Sequence, residues 1–339
     1  MVVQRPAEPA MTEAEAERRI AADGRDWAAA VAKADHRLRA GDRRAANAWY
    51  NAALRAAGAG ASAPAAERAR VEALVAQIQR YFTEHTLESL ERAGFPRSQW
   101  HPRFAKAIAI LHGERSRDPV GEAYPQLPNS LFYPDLAYVQ FADPARWDWT
   151  AAVEEATTTI RGEAEVLLAS AEGFAPYVRR TSERPQGDVH GMIDNAAWQT
   201  LELTRMGKPV PERVALAPRS FAAIAEHAPL CDIPNRAPSV MFSLLGAGQR
   251  IPPHTGMINT RLICHLPLIV PGEGALRVGG EVRRWVEGRL LAFDDTVEHE
   301  AWNDAGRDRL VLIFDVWRPE LEPVERAQLR ALFDAVDSA

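Results

Sequence analysis

The sequence predicts an α+β protein in which a helical N-terminal part precedes an all-β unit. Residues 12–112 are rich in Ala, Arg, Glu and Leu, and their apolar residues recur at helical spacing. Residues 239–321 instead hold short β-branched apolar runs separated by Gly, Pro, Asn and Asp clusters, which is typical of consecutive strands. A segment punctuated by Pro and Gly, 118–128, is typical of a linker. We therefore expect a helical domain over 1–117 and a second domain over 118–339.

In the helical part, apolar periodicity and Gly or Pro punctuation predict helices over 26–38, 43–57, 64–93 and 102–112. Gly41, Ala46, Tyr50 and Ala53 fall at offsets 0, 5, 9 and 12, as in the second half of a tetratricopeptide repeat (TPR). A plain helical hairpin fits this single match equally well.

Beyond the linker, one amphipathic helix is predicted over 149–175, a strand within 187–206 and a helix over 218–227. His190 lies in a predicted loop, where a solvated side chain is the more common role.

Composition excludes several classes of function. The net charge of −6 disfavours a nucleic-acid binder, which needs a basic surface. Cys231 and Cys264 supply no disulfide framework and indicate a reducing compartment. No apolar run reaches the length of about 18 residues that a membrane helix needs, and the N-terminus lacks a signal-peptide core. We expect a cytoplasmic protein with neither a membrane nor a nucleic-acid partner.

Two histidines of the all-β region, His254 and His299, lie just outside apolar runs at corresponding places. Imidazole suits iron, zinc, copper and nickel, and many non-haem iron enzymes bind the metal with two His and one carboxylate. In those sites Asp or Glu stands two positions after the first His, but here that position is Gly256. By spacing alone, hydrogen-bonded histidines without a metal are the more common interpretation.

Arg309 strengthens the metal hypothesis. It opens an apolar strand ten residues after His299, and a desolvated guanidinium needs an anionic partner. Arginine binds carboxylates through two parallel hydrogen bonds, so a dicarboxylate is a natural ligand. A structural salt bridge fits equally well. A His, a distant His and then an Arg in a β-rich region is nevertheless the order found in 2-oxoglutarate oxygenases.

Longer motifs make the resemblance specific. The matching segments are PHTG at 253–256, N-x-RL-x-x-HL at 259–266, WVEG at 285–288, FDD-x-x-EHE-x-W at 293–302 and DVW-x-PEL at 315–321. They resemble the catalytic domain of the aspartyl/asparaginyl β-hydroxylase family of Fe(II)- and 2-oxoglutarate-dependent oxygenases. The resemblance implies a double-stranded β-helix, which is a jelly-roll or cupin-like fold.

The resemblance also implies a role for each matched residue. His254 and His299 correspond to the iron ligands, in a family that characteristically has Gly in place of the carboxylate. Ser243 and Arg309 correspond to the pair that holds the distal carboxylate of 2-oxoglutarate, and His265 to a histidine near its metal-proximal end.

Arg261 corresponds to an active-site arginine that helps to bind an acidic or amide substrate side chain. Its neighbour Ile263 departs from the family, because the best-known members have a second arginine there. The departure puts the substrate in question but leaves the metal site intact. Asp294, Asp295 and Glu298 either orient His299 or, for the two aspartates, serve as turn residues, which is the more common role.

The resemblance thus implies a dioxygenase that uses Fe(II), 2-oxoglutarate and O₂ to hydroxylate an unactivated carbon. The expected substrate is the β-carbon of an Asp or Asn residue in a peptide or protein, with a free amino acid also open. One alternative is a catalytically inert cupin-like binding module with a helical interaction domain. Another is a zinc hydrolase, which needs a third protein ligand such as His265 or Glu298.

Overall fold

The computed structural model describes residues 3–4, 6–118, 121–170, 173–186 and 191–339, so His190 lies outside the described residues. Its contacts divide the chain into two compact units. The first, here called the helical unit, comprises Met1–Gly94, Arg180–Val189 and Asp334–Ala339. The second, the β unit, comprises Phe95–Arg179 and His190–Phe333.

The helical unit contains α1 (Glu13–Ala22), α2 (Trp27–Arg39), α3 (Arg43–Gly58) and α4 (Ala65–Arg92), which confirms the predicted helices in this part. The side chains of Thr12, Asp26 and Asp42 cap the first three helices by accepting a backbone N–H of the first turn. Gly41, with φ +88°, reverses the chain between α2 and α3 in a conformation that favours glycine.

The α2–α3 hairpin packs through the residues that the repeat pattern singled out. Ala46, Tyr50 and Ala53 are all fully buried, in one cluster with apolar residues of α2 and α4. The Tyr50 hydroxyl donates to the carboxylate of Asp35, and Arg70 donates to the same carboxylate at 3.0 and 3.1 Å. The structure therefore confirms a tightly packed helical hairpin.

The β unit contains further helices and all the named strands. The helices are α5 (Pro102–Leu111), α6 (Thr150–Glu155), α7 (Thr157–Ser170), α8 (Pro211–Val214), α9 (Pro218–His227) and α10 (Pro323–Asp337), the last of which continues into the helical unit. The strands are β1 (Phe141–Ala142), β2 (Ala175–Pro176), β3 (Trp198–Glu202), β4 (Thr204–Arg205), β5 (Lys208–Pro209), β6 (Val240–Leu245), β7 (Arg250–His254), β8 (Arg261–Ile269), β9 (Gly274–Val278), β10 (Glu281–Arg284), β11 (Leu291–Phe293), β12 (His299–Asn303) and β13 (Arg309–Trp317).

These strands form a jelly roll, except for β4 and β5, which pair with each other. Within the described residues, the larger sheet has the order β1-β11-β8-β13-β6-β3-β2 and the smaller sheet the order β10-β9-β12-β7, with every neighbouring pair antiparallel. From β6 to β13 the chain alternates between the two sheets, except that β9 and β10 form a hairpin within the smaller one. This winding is that of a double-stranded β-helix, as the resemblance implied.

Alternation along β13 separates the core from the site. Its even-numbered residues pack into the main apolar cluster with Ile160 and Leu167 of α7 and with Ile224 of α9. On the opposite face, Arg309 and Ile313 line a cavity. The helices therefore cover one face of the larger sheet and leave the other face for chemistry.

Some details differ from the sequence predictions. The helix predicted over 149–175 is two helices, α6 and α7. The strands of the smaller sheet were not predicted, because β7 and β10 carry many exposed polar residues and lack an apolar run.

The boundary between the compact units also falls earlier than the predicted 117/118, between Gly94 and Phe95. Helix α5 belongs to the β unit because Arg103 donates to Glu325 at 2.6 Å and to the carbonyl of Glu320 at 2.9 Å. The sequence pattern groups α5 with the N-terminal helices, because its apolar residues recur at the same helical spacing. Helix α10, which supplies Glu325, was not predicted.

Candidate active site

A cavity of about 240 Å³ is lined by residues of both sheets of the β unit. All six residues assigned roles by the resemblance line it. They are His254, His299, Arg261, Ser243, His265 and Arg309. The fold therefore brings together side chains that are up to 66 residues apart in the sequence (309 − 243).

His254 ends β7 and His299 begins β12, and the two residues face each other directly in the strand register. Their ring centroids lie 4.1 Å apart. His299 is buried, whereas His254 is exposed at the mouth of the cavity. Two imidazoles this close can bind one metal ion between them.

Both rings are held in the same way. Nδ1 of His254 lies 2.8 Å from the carbonyl of Pro252, and Nδ1 of His299 lies 3.1 Å from the carbonyl of Val297. A proton on Nδ1 donates to each carbonyl and leaves the lone pair on Nε2, the arrangement found in metal-binding histidines. Burial, reinforced by the neighbouring His254, lowers the pKa of His299 to about 3, so this ring is neutral at pH 7.

Among the described residues, no third His, Cys, Asp or Glu joins this pair to form a compact group of three ligand atoms. A compact group of three potential ligands does occur elsewhere in the β unit, formed by His101, Glu322 and Glu325. Its Glu325 already accepts hydrogen bonds from Tyr133 and Arg103. The zinc-hydrolase alternative, which needs a third ligand beside His254 and His299, therefore lacks its main requirement.

Asp295 occupies the space beside Gly256. A Cβ on Gly256 would overlap the carboxylate of Asp295, and the Gly256 N–H donates to the Asp295 carbonyl at 2.6 Å. Asp295 is buried and lines the cavity. The FDD segment is typical of a turn, so the sequence favours a turn role for Asp295 and gives no indication of its contact with Gly256.

Arg309 is a buried cation, and two of its nitrogens meet no acceptor among the described residues. It is 2% exposed, and its Nε and Nη1 have no hydrogen-bond partner among the described residues. Its guanidinium carbon lies 4.9 Å from the ring centroid of Trp285. Burial lowers the pKa of Arg309 to about 9, so the group remains charged at pH 7. A buried charge without hydrogen-bond partners is costly, and an anion in the cavity would offset that cost.

Ser243 and His265 lie on the two strands that neighbour β13, opposite Val311 and Ile313 respectively. The Ser243 hydroxyl accepts from Nε1 of Trp198 at 3.0 Å, so its own proton is available to an incoming acceptor. His265 stacks on Trp285 at 5.4 Å, and its buried Nδ1 has no partner within the described part of the chain. Burial, together with Arg309 and His299, lowers the pKa of His265 well below its usual value and keeps it neutral.

Arg261 is also buried, but it is paired. Its Nη1 donates to Asp315 and its Nη2 donates to Asp295 at 3.2 Å. Burial alone would lower the pKa of Arg261, but the two carboxylates raise it above its usual value. The structure thus places Arg261 in the cavity wall, as expected, and pairs its guanidinium with two buried carboxylates.

No helix in the described ranges combines the length and the apolar character that crossing a membrane requires.

Comparisons with known proteins agree with this geometry. Residues 154–319 match the family model for aspartyl/asparaginyl beta-hydroxylase. The mouse aspartyl/asparaginyl beta-hydroxylase is 35% identical over 175 residues, which cover 51% of this chain and 22% of that protein. An ornithine lipid ester-linked acyl 2-hydroxylase of Rhizobium tropici is 34% identical over 198 residues, which cover 57% of this chain and 66% of that protein.

Among solved structures, a Pseudomonas putida prolyl-4-hydroxylase is similar with a TM-score of 0.30 and 18% identity, over 50% of this chain and 99% of that one. The match to the mouse relative spans about a fifth of that protein's length, and the match to the Rhizobium relative about two thirds. Through residues 154–319, this chain belongs to the aspartyl/asparaginyl β-hydroxylase family.

Proposed function

We propose that the protein is an Fe(II)- and 2-oxoglutarate-dependent dioxygenase that hydroxylates an unactivated carbon. The observation that carries the proposal is one cavity with His254 and His299 opposite each other and the under-satisfied guanidinium of Arg309 in its wall. The histidine pair suits a divalent metal, and the guanidinium suits an anionic co-substrate.

The residues fit the metal. Two imidazoles whose Nδ1 faces a backbone carbonyl can present Nε2 to Fe(II), and the few protein ligands leave positions for a co-substrate and O₂. When bound, iron with 2-oxoglutarate supplies the oxidation, in which one atom of O₂ enters the substrate and the other enters succinate, with loss of CO₂.

The protein's own residues would orient the co-substrate. Arg309 and Ser243 would donate to its distal carboxylate, because both are buried donors on neighbouring strands of the same wall. His265 would hold the adjacent part, and Ile251 and Leu276 of the smaller sheet would limit the entry of water.

For the substrate, we propose the β-carbon of an Asp or Asn residue in a peptide or protein, or of the free amino acid. The name of the mouse relative and the family model support this choice. A second candidate is an acyl chain next to an ester, because the Rhizobium relative is an acyl 2-hydroxylase and is matched over 66% of its length.

Two further predictions from the sequence remain predictions. The α2–α3 hairpin has the buried small residues and tyrosine of a TPR-like repeat, so we propose that the helical unit offers a binding surface for a polypeptide. A reducing, cytoplasmic location is the environment in which Cys231 and Cys264, both buried and unbridged, would persist.

The central experiment is an anaerobic titration of the purified protein with Fe(II) and then 2-oxoglutarate. We expect a weak charge-transfer absorbance that needs both, and in air a slow formation of succinate without added substrate. His299→Ala should abolish both signals. Arg309→Met should retain Fe(II) but need much more 2-oxoglutarate. Wild-type protein that binds no metal and forms no succinate would instead identify the inert cupin-like module.

A further inference from the structure

The cavity contains two buried arginines in opposite electrostatic environments. Arg309 opens β13 with its Nε and Nη1 unpartnered among the described residues, whereas Arg261 is paired with Asp315 near the end of the same strand. Asp315 lies six positions after Arg309 along β13, a length of about 20 Å in a strand. The cavity wall therefore has two chemically different ends.

The strand register gives the order of side chains between these ends. Beyond Arg309, Ser243 lies opposite Val311, and the next inward row is Met241, Ile313 and His265. The row after that pairs Asp315 with Ile263. The cavity wall thus runs from the available cation of Arg309 through a largely apolar centre to an ionic group. This group, which consists of Arg261, Asp295 and Asp315, is here called the distal cluster.

The distal cluster has more acidic than basic groups. One guanidinium faces two buried carboxylates, and Ile263 adds no charge where a second arginine would have balanced them. A substrate carboxylate placed here would be desolvated next to two groups of its own sign, which disfavours binding strongly.

The distal cluster also retains two unsatisfied polar atoms of opposite kinds. Nε of Arg261 is a buried donor and Oδ1 of Asp295 a buried acceptor, and neither has a hydrogen-bond partner among the described residues. Both residues line the cavity, and Nη2 of Arg261 lies 3.2 Å from Oδ2 of Asp295. A primary amide complements such a pair, because its carbonyl accepts and its NH₂ group donates. A carboxylate and an ester lack the donor.

We infer that the distal cluster selects an uncharged amide, so that the enzyme hydroxylates Asn-type side chains in preference to Asp-type side chains. The inference rests on the proposed function and narrows its substrate class. Arg261 and Asp295 then bind the uncharged amide group together. Arg261 does not bind a substrate carboxylate.

The test uses a panel of peptides synthesised in matched pairs that differ only in Asn or Asp, together with N-acetyl-asparagine amide and N-acetyl-aspartate amide. Products are identified by the added mass of one oxygen atom. We expect kcat/KM for the Asn member to exceed that for its Asp partner by about tenfold or more. Calorimetry with Zn²⁺- and 2-oxoglutarate-loaded protein should show the same preference in binding, without turnover.

Variants test the cause of the preference. Ile263→Arg adds a cation beside Asp315 and should lower the Asn/Asp ratio by about tenfold or more. The matched control Ile263→Gln has a long polar but uncharged side chain and should retain the preference for Asn. Asp315→Asn removes one carboxylate from the distal cluster and should also shift the ratio towards Asp, which gives a second route if Ile263→Arg does not fold.

Each outcome bears on one hypothesis. An Asp member hydroxylated as well as its Asn partner would overturn the inference and leave the oxygenase intact. Succinate formation with no hydroxylated member in either half of the panel would also count against it, because the panel presents the chemistry it names. Absence of succinate under all conditions would instead overturn the proposed function.

Discussion

Arg309 has a positive charge inside a cavity whose walls offer its Nε and Nη1 no acceptor among the described residues. If stability were the only requirement at this position, the arginine would have a carboxylate partner, or an apolar residue would stand in its place. Arg261, in the same cavity, has two such partners. At the scale of single residues, the contrast separates a cation that is available to an anionic ligand from a cation that two carboxylates already neutralise.

The first prediction concerns the stability of ligand-free protein. Arg309→Met removes a buried, poorly compensated charge, so we expect the free energy of unfolding to rise by about 1 kcal/mol or more. With Mn²⁺ present, 2-oxoglutarate at about 100 times its Kd should stabilise wild type by about 2.7 kcal/mol and the variant hardly at all. Urea denaturation measures both effects. Arg250→Met, at an exposed arginine paired with Asp304, is the control and should respond to 2-oxoglutarate as wild type does.

The second prediction concerns the contact between Gly256 and Asp295. A methyl group on Gly256 would overlap the Asp295 carboxylate and push it away from Arg261, so Gly256→Ala should cost about 1–3 kcal/mol of stability. In a double-mutant cycle, Asp295→Ala should then cost less in the Gly256→Ala background than in wild type. Gly162→Ala, at a site with open space, should not be destabilising. Additive effects at 256 and 295 would show that the contact is unimportant.

At the scale of elements, the side chains of β13 point alternately to the two faces of the sheet, and each face has its own role. One set of its residues packs under α7 and α9, and the other lines the cavity with Arg309 and Ile313. Helix α10 follows directly and is fixed at its first turn by Glu325, which is fully buried. Glu325 accepts from the Tyr133 hydroxyl at 2.7 Å and from Arg103 of α5 at 2.6 Å. One carboxylate therefore connects α10 to α5 and to the segment that precedes β1.

The third prediction is the pH dependence that Glu325 confers. Burial by itself raises the pKa of this carboxyl, but hydrogen bonds from Tyr133, the Glu322 N–H and Arg103 outweigh it and lower the pKa below the ordinary 4.5. A folded-state pKa below the unfolded one contributes stability that is present above pH 4.5 and lost as pH falls further.

We therefore expect Glu325→Gln to cost about 3 kcal/mol at pH 7 and to differ less from wild type at pH 3.5 to 4. Chemical denaturation at both values measures the difference. An equal difference at the two pH values would mean that Glu325 acts through its shape and not through its charge. Exposed Glu273, which pairs with exposed Arg284, supplies the control Glu273→Gln, which should change little at either pH.

At the scale of the whole molecule, all the site residues lie in the β unit, and none lies in the helical unit. Ligands that bind one folded unit stabilise that unit by mass action. The helical unit has its own apolar core around Trp27, Tyr50 and Ile78.

The fourth prediction is that Mn²⁺ and 2-oxoglutarate slow hydrogen exchange mainly in β7, β12 and β13, with little change in α1–α4. Hydrogen-exchange mass spectrometry of the full chain resolves these segments. His299→Ala, measured under the same conditions, should lose the protection. Equal protection of both units would show that the ligand acts on the chain as a whole.

The sequence by itself determined the helices of the N-terminal part, the apolar strands of the larger sheet and the order of His254, His299 and Arg309. These features follow from local periodicity and from motifs that a chain retains wherever it folds. Only the tertiary structure decided that Asp295 fills the space beside Gly256, and that Arg261 is neutralised by residues 34 and 54 positions away. The physical reason is that the charge state and the partners of a buried group depend on which strands become neighbours, and that information is not present in the pattern of any one strand.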